Sequence, residues 1–184
     1  MKRRSSKDLD GTIVFDLETQ ESFEDVGGRE NIRELLLSLA VVYRYSDHRY
    51  VTLLEKDAAS LLEEIRRASR VVGFNLLRFD YLVLERYGKV GAISRKTVDM
   101  MQICERELGF RPKLDDLVQA TLGAKKGADG LLGIRLYREG KIKELGQYCK
   151  RDVLLTRKLF EFGWKHGFVY IEQQGERAKV PARW

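Results

Sequence analysis

The stretch Thr12-Ile13-Val14-Phe15-Asp16-Leu17-Glu18 constrains this chain more than any other part of it. Residues 11–17 form a short β-rich run that is apolar toward both sides, the pattern of a strand buried in the middle of a sheet. At its end the run turns acidic at every second position. Side chains alternate across a strand, so Asp16 and Glu18 leave from the same face. Carboxylates that follow Ile13-Val14-Phe15 are costly to desolvate unless a cation or polar partners compensate. With 28 acidic residues in the chain, a D-x-E pairing by itself says little. Its position at the end of a buried strand is what gives it meaning.

The elements around this strand are readable from their periodicity. Leu35 to Tyr45 and Arg49 to Leu54, separated by Ser46-Asp47-His48, predict an antiparallel hairpin. Asp57 is placed to cap a helix from Ala58 to Ala68, whose apolar positions Ala58, Leu61, Leu62, Ile65 and Ala68 share one face. Val71 to Phe74 reads as a short strand, followed by a helix from about Phe79 to Tyr87 that Gly88 would terminate. Val98–Leu108 and Lys113–Leu122 read as helices, with a glycine-containing loop at 123–130. A last long helix spans about Ile142 to Trp164, with the stripe Ile142, Leu145, Cys149, Val153, Thr156, Phe160 and Gly163. The basic stretch 176–184 carries no readable pattern. A strand meander followed by strands alternating with helices implies an α/β fold, a mixed sheet flanked by helices.

A chain of 184 residues with 43% apolar content is long enough for one sizeable core and short for two. The expected organisation is a basic N-terminal segment at 1–10, one domain at 11–172 and a basic C-terminal tail at 173–184. The charged start and the lack of any apolar run of membrane-spanning length point to a soluble cytoplasmic protein that does not engage membranes. Two cysteines, Cys104 and Cys149, lack the paired spacing of a zinc site, and there are two histidines. A metal would therefore be held mainly by carboxylates. The net charge of +6 favours a polyanionic partner such as nucleic acid. Acids gathered at one point would leave the remaining surface more positive still.

Two further acids extend the first pair. Val71-Val72-Gly73-Phe74 delivers Asn75 to a loop and Asp80 to a helix start, where an acid also suits the helix dipole. Asp152 lies on the apolar stripe of the last helix, an unusual place for a carboxylate. Tyr148, one turn earlier, can face the same pocket. A competing string is Asp8-Leu9-Asp10-Gly11-Thr12, which resembles the nucleophile motif of haloacid-dehalogenase-type phosphatases, with Asp115-Asp116 as a candidate later acidic pair. That family needs its first aspartate after a buried strand, whereas here the apolar strand follows the motif.

Taken in order, the residues resemble the DEDD exonuclease superfamily, in the branch with Y-x-x-x-D as its third motif. Asp16-x-Glu18-Thr19 matches the first motif, Asn75-x-x-x-Phe79-Asp80 the second and Tyr148-x-x-x-Asp152 the third. The second motif is similar to that of family B DNA polymerase proofreading domains. Thr121-Leu122-Gly123 and Ala128-Asp129-Gly130-Leu131 are similar to ribonuclease H-like nucleases of bacteria and archaea, some of them beside helicase domains. Gln147 occupies the position that the histidine branch would use.

The resemblance implies a single-domain ribonuclease H-like fold and 3′-to-5′ exonuclease activity on DNA or RNA, acting at a single-stranded 3′ end. It also implies two divalent cations, Mg²⁺ or Mn²⁺, and raises a helicase or repair protein as a partner. Asp16 would bridge both cations, with Glu18 and Asp152 on the nucleophile side and Asp80 toward the leaving group. Tyr148, too weak an acid to serve as a base at neutral pH, would orient the attacking water. Asn75 and Phe79 would contact the terminal nucleotide, or else serve as a turn residue and a core aromatic. Thr19 would support the substrate end or cap a turn. Lys125 and Lys126 would reach phosphates or sit in a solvated loop. A non-catalytic nucleic-acid-binding or helicase-associated domain of the same fold is the alternative from another class.

Overall fold

The computed structural model of the protein describes residues 6–91, 93–124 and 131–184. Its centre is a five-stranded sheet with strand order β3-β2-β1-β4-β5. The strands are β1 (Thr12–Thr19), β2 (Leu37–Arg44), β3 (Arg49–Leu54), β4 (Arg70–Gly73) and β5 (Thr97–Asp99). β1, β2 and β3 form the antiparallel meander, and β4 and β5 join β1 in parallel. Helices cover both faces, so the fold is the mixed α/β architecture that the sequence pattern implies. The chain also contains α1 (Ala58–Arg67), α2 (Asp80–Leu84), α3 (Met100–Leu108), α4 (Leu114–Leu122), α5 (Leu132–Arg138) and α6 (Ile142–His166). A separate hairpin, β6 (Phe168–Gln173) with β7 (Glu176–Pro181), follows α6.

Strand alternation divides the core into two layers. Ile13, Phe15 and Leu17 of β1 pack with Ala58, Leu61, Leu62 and Ile65 of α1 on one face. Val14 faces the other layer with Leu145, Cys149 and Val153 of α6. Asp16 and Glu18 follow Val14 at every second residue and thus point toward α6. The strand register shifts between Glu18 and Thr19, where the ladder to β2 becomes irregular. Since β1, β4 and β5 run in parallel, their C-terminal ends lie along one edge, the usual place for a ligand crevice in an open α/β sheet.

Several local expectations are corrected. Asp57 precedes α1 but gives it no side-chain cap. Its Oδ2 instead accepts the Leu54 N–H at 3.1 Å, closing the turn out of β3. The helix expected from Phe79 to Tyr87 ends at Leu84, and Gly88 is not left-handed. Gly88 instead sits close to α1, where a Cβ would meet Leu62 Cδ1 at 2.9 Å. Val98 and Asp99 belong to β5 rather than to a helix, since Val72 and Gly73 of β4 pair with them. α3 begins only at Met100, with Asp99 as its cap residue.

The unread C-terminal stretch is part of the core. β7 pairs with β6, and Trp184 is buried with its ring stacked on Phe160 at 6.4 Å and its Nε1 donating to the Phe160 carbonyl. Gly163 of α6 makes room for it, since a Cβ there would overlap the indole. Among the described residues no helix is long and apolar enough to cross a membrane.

Candidate metal centre

Of the acids read from the sequence, Asp16 and Glu18 lie in the C-terminal half of β1, and Asp80 and Asp152 on α2 and α6. Asp16 and Asp152 line one cleft of about 310 Å³ together with Phe74, Asn75, Met101, Arg111, Pro112 and Leu114. One carboxylate oxygen of Asp16, one of Glu18 and the Cys149 sulfur lie within 4.8 Å of one another. Asp16 and Glu18 are partly exposed, whereas Asp80 and Asp152 are almost fully buried, at 2% and 3% exposure. α2 places Asp80 at its first residue, and α6 carries Asp152 on the face that packs against β1.

Asp80 is the most telling of these acids electrostatically. Its Oδ1 has no hydrogen-bond partner among the described residues. Burial raises its carboxyl pKa well above the ordinary value, and the charges of Asp16 and then Asp99 add to the effect, against backbone hydrogen bonds from Asp80 and Leu17. A carboxyl in this state either keeps its proton or meets a cation. Cys149 behaves similarly: burial first, then Asp16, Glu18 and Asp152, push its thiol pKa up. The thiol donates to the Asp16 carbonyl at 3.4 Å. The carboxylate oxygens beside it suit a hard divalent ion.

The other sequence candidates divide. Tyr148 is half-buried, one turn before Asp152, and packs against the α6-side core. Asn75 lines the cleft in a left-handed conformation (φ 71°), and its Oδ1 accepts from Arg111 at 3.0 Å. Thr19 is buried and its hydroxyl donates to the Glu21 carbonyl at 2.8 Å, so it is engaged in a turn. Phe79 packs edge-on against Phe23, with ring centroids 5.9 Å apart, in the opposite core layer. Lys125, Lys126 and Ala128–Gly130 lie outside the described residues. Asp8 and Asp10 are exposed and precede β1, with Asp10 Oδ1 accepting the Gly11 N–H, and Asp115 and Asp116 sit in the first turn of α4.

Four contributors are not apparent from sequence. Asp99, buried at the end of β5, accepts the backbone N–H groups of Asn75 at 2.9 Å, Leu77 at 3.0 Å and Gln102 at 3.3 Å. It thereby fixes the loop that leads to Asp80. Arg111 stands at the rim of the cleft, held by Asn75. Gly133 of α5 faces Glu18 so closely that a Cβ would overlap Glu18 Oε2. Cys149 reads as one more member of an apolar stripe. Of the four, only Asp99 left a signal, as an acid in the first turn of the helix read at 98–108.

A larger hollow of about 690 Å³ between β1 and α1 is lined by Arg44, Glu63, Glu64 and Arg67, which form the ion pairs Arg44–Glu64 and Arg67–Glu63. Its charges are satisfied by one another. Comparison with curated proteins yields no match. The family model of the ribonuclease H superfamily matches residues 13–163, which runs from the second residue of β1 through the rest of the five-stranded sheet and the helices to Gly163 of α6. Nucleases of this fold typically hydrolyse phosphodiester bonds with divalent metals, a chemistry in keeping with acids gathered at the end of the central strand. On that match and this architecture, the chain belongs to the ribonuclease H superfamily.

Proposed function

We propose that this protein is a metal-dependent 3′-to-5′ exonuclease of the DEDD type, in the tyrosine branch, acting on single-stranded 3′ ends of DNA or RNA. The observation that carries the reading is Asp80, a buried carboxyl with an unsatisfied oxygen beside a second acid, Asp16. Like charges held in a low-dielectric site need a counter-charge to ionise together. Asp16, Glu18, Asp80 and Asp152 would hold two Mg²⁺ or Mn²⁺ ions. Such ions supply Lewis acidity at the scissile phosphate, activation of water and neutralisation of charge on the leaving oxygen.

The chain's own groups then do the positioning. Tyr148 donates or accepts one hydrogen bond to orient the attacking water opposite the leaving 3′ oxygen. Arg111, at the cleft rim and tethered by Asn75, presents its guanidinium to a substrate phosphate. Asp99 keeps the Asn75–Leu77 backbone in place, so Asn75 and Asp80 arrive in fixed positions. The 3′-to-5′ polarity is supported by the order and wording of the three motifs.

The test is incubation with 3′- and 5′-labelled single-stranded DNA and RNA in Mn²⁺ or EDTA. Stepwise loss from the 3′ end in Mn²⁺ is expected, slowed by a 3′-phosphate, with Asp16→Asn and Asp152→Asn inactive yet folded and still binding. Cuts in a circular single strand would make it an endonuclease. Activity surviving in Asp16→Asn but lost in Asp10→Asn would move the chemistry to the phosphatase reading.

A further inference from the structure

We propose that the outer face of the β6–β7 hairpin is a second single-stranded nucleic-acid contact surface, holding the strand upstream of its 3′ end. The ladder register pairs Phe168 with Pro181, Tyr170 with Lys179 and Glu172 with Arg177, so these six side chains share one face. The opposite face supplies Val169, Ile171 and Val180 to the core. The outer aromatics are thus not required to fill the interior.

They instead form a half-buried cluster under cations. Phe168 and Tyr170 have ring centroids 5.1 Å apart, and Phe162 of α6 lies 6.0 Å from the first and 6.2 Å from the second. The exposed His166 adds its ring 4.4 Å from Phe162. The Arg177 guanidinium lies 3.6 Å above Tyr170, and the Lys179 ammonium 4.4 Å above Phe168. Glu172 stands directly across the ladder from Arg177, where an ion pair would be ordinary. Among the described residues none is formed by Arg177, Lys179 or the nearby exposed Lys165. Cations without carboxylate partners, laid over aromatic rings, match a ligand with phosphates and flat bases.

The hairpin is also tied to the cleft. Leu114, the first residue of α4, lines the cleft, and at the far end of the helix the Thr121 hydroxyl accepts the Tyr170 N–H at 2.8 Å and lies 3.1 Å from the Tyr170 carbonyl. Those residues are about 10 Å apart along the helix axis. The cleft and the hairpin are therefore joined by the two ends of one short helix, α4. Only the polarity of the strand rests on the exonuclease reading; the surface itself does not.

The experiment is fluorescence anisotropy in EDTA, with labelled oligothymidine of about 16 nucleotides titrated at several salt concentrations. Arg177→Gln with Lys179→Gln should weaken binding by about tenfold or more and flatten the slope of log affinity against log salt by about 1.4, the share of two phosphate contacts on a single strand. Tyr170→Leu, which keeps an apolar strand residue but removes the ring, should weaken binding with the slope unchanged. Melting temperatures of both variants should match wild type. Wild-type affinity and slope in the glutamine variant overturn the proposal, as does a wild-type chain that binds no single strand at low salt. A wild type that binds through the hairpin but never hydrolyses in Mn²⁺ sinks the exonuclease reading and leaves this surface standing.

Discussion

Gly133→Ala separates catalysis from stability more cleanly than removal of an acid. A Cβ at Gly133 would overlap Glu18 Oε2 and lie 3.0 Å from Glu18 Cδ, while Leu145 Cδ1 at 3.6 Å is in ordinary contact. The clash is with the end of a flexible side chain, so the fold can absorb it by letting the carboxylate retreat. Gly133 is buried in α5 and has no left-handed backbone, so alanine suits its conformation and brings up to ~1 kcal/mol of helix propensity. The melting temperature should therefore hold or rise slightly. The carboxylate, by contrast, moves by on the order of 1 Å, and a misplacement of that size costs about a hundredfold in rate, which is about 2.7 kcal/mol of barrier. Single-turnover hydrolysis at saturating Mn²⁺ reads this directly. Glu18→Asp, one methylene shorter, draws the carboxylate back from the new Cβ. In that background Gly133→Ala should cost well under its effect in wild type, a coupling that a double-mutant cycle measures. A wild-type rate in Gly133→Ala, or strictly additive effects in the cycle, would refute the assignment of Glu18 to the metal centre.

Asp80→Asn should abolish hydrolysis yet stabilise the metal-free protein. The folded-state carboxyl pKa lies well above its ordinary 3.8, so the fold loses stability as pH rises from that value through the raised one, and the amide removes this loss. In EDTA its melting temperature should exceed that of wild type by a margin that widens with pH; a margin that is constant or reversed would mean that Asp80 is satisfied without a cation. Tyr148→Phe keeps the ring packing and removes one hydrogen bond, worth roughly 1 to 3 kcal/mol in the transition state, or about tenfold to a hundredfold in rate. Binding and melting temperature should stay put, and a wild-type single-turnover rate would reduce Tyr148 to packing.

Much of the frame was legible because its signals are local. The continuous apolar run of Ile13 to Phe15 marks a central strand, the stripe Ala58, Leu61, Leu62 and Ile65 marks one face of α1, and all four of those side chains are buried. Asp152 stood out because a carboxylate on an apolar stripe contradicts its neighbours, and it is indeed buried. Where a segment's state depends on its neighbour, the same reasoning erred. Thr97–Asp99 is a strand only because β4 offers an open parallel edge, and its few residues are too short to show a period.

By itself the sequence determined which residues lie on which face, since a period of two or of about three and a half is a property of the chain's own geometry. That sufficed to place Asp16 and Glu18 together and Asp152 inward. The tertiary structure alone decided what stands opposite them. Contacts such as Gly133 against Glu18, Arg111 on Asn75, and Cys149 on the Asp16 carbonyl join residues far apart in the chain. The hairpin at 168–181 is the same case: Ala178 and Val180 are too sparse to announce a strand, and β7 becomes one because β6 pairs with it and Trp184 fills the space left by Gly163. Such pairings satisfy backbone groups and exclude water across the fold, so their energy resides in the juxtaposition and leaves no mark on either segment read alone.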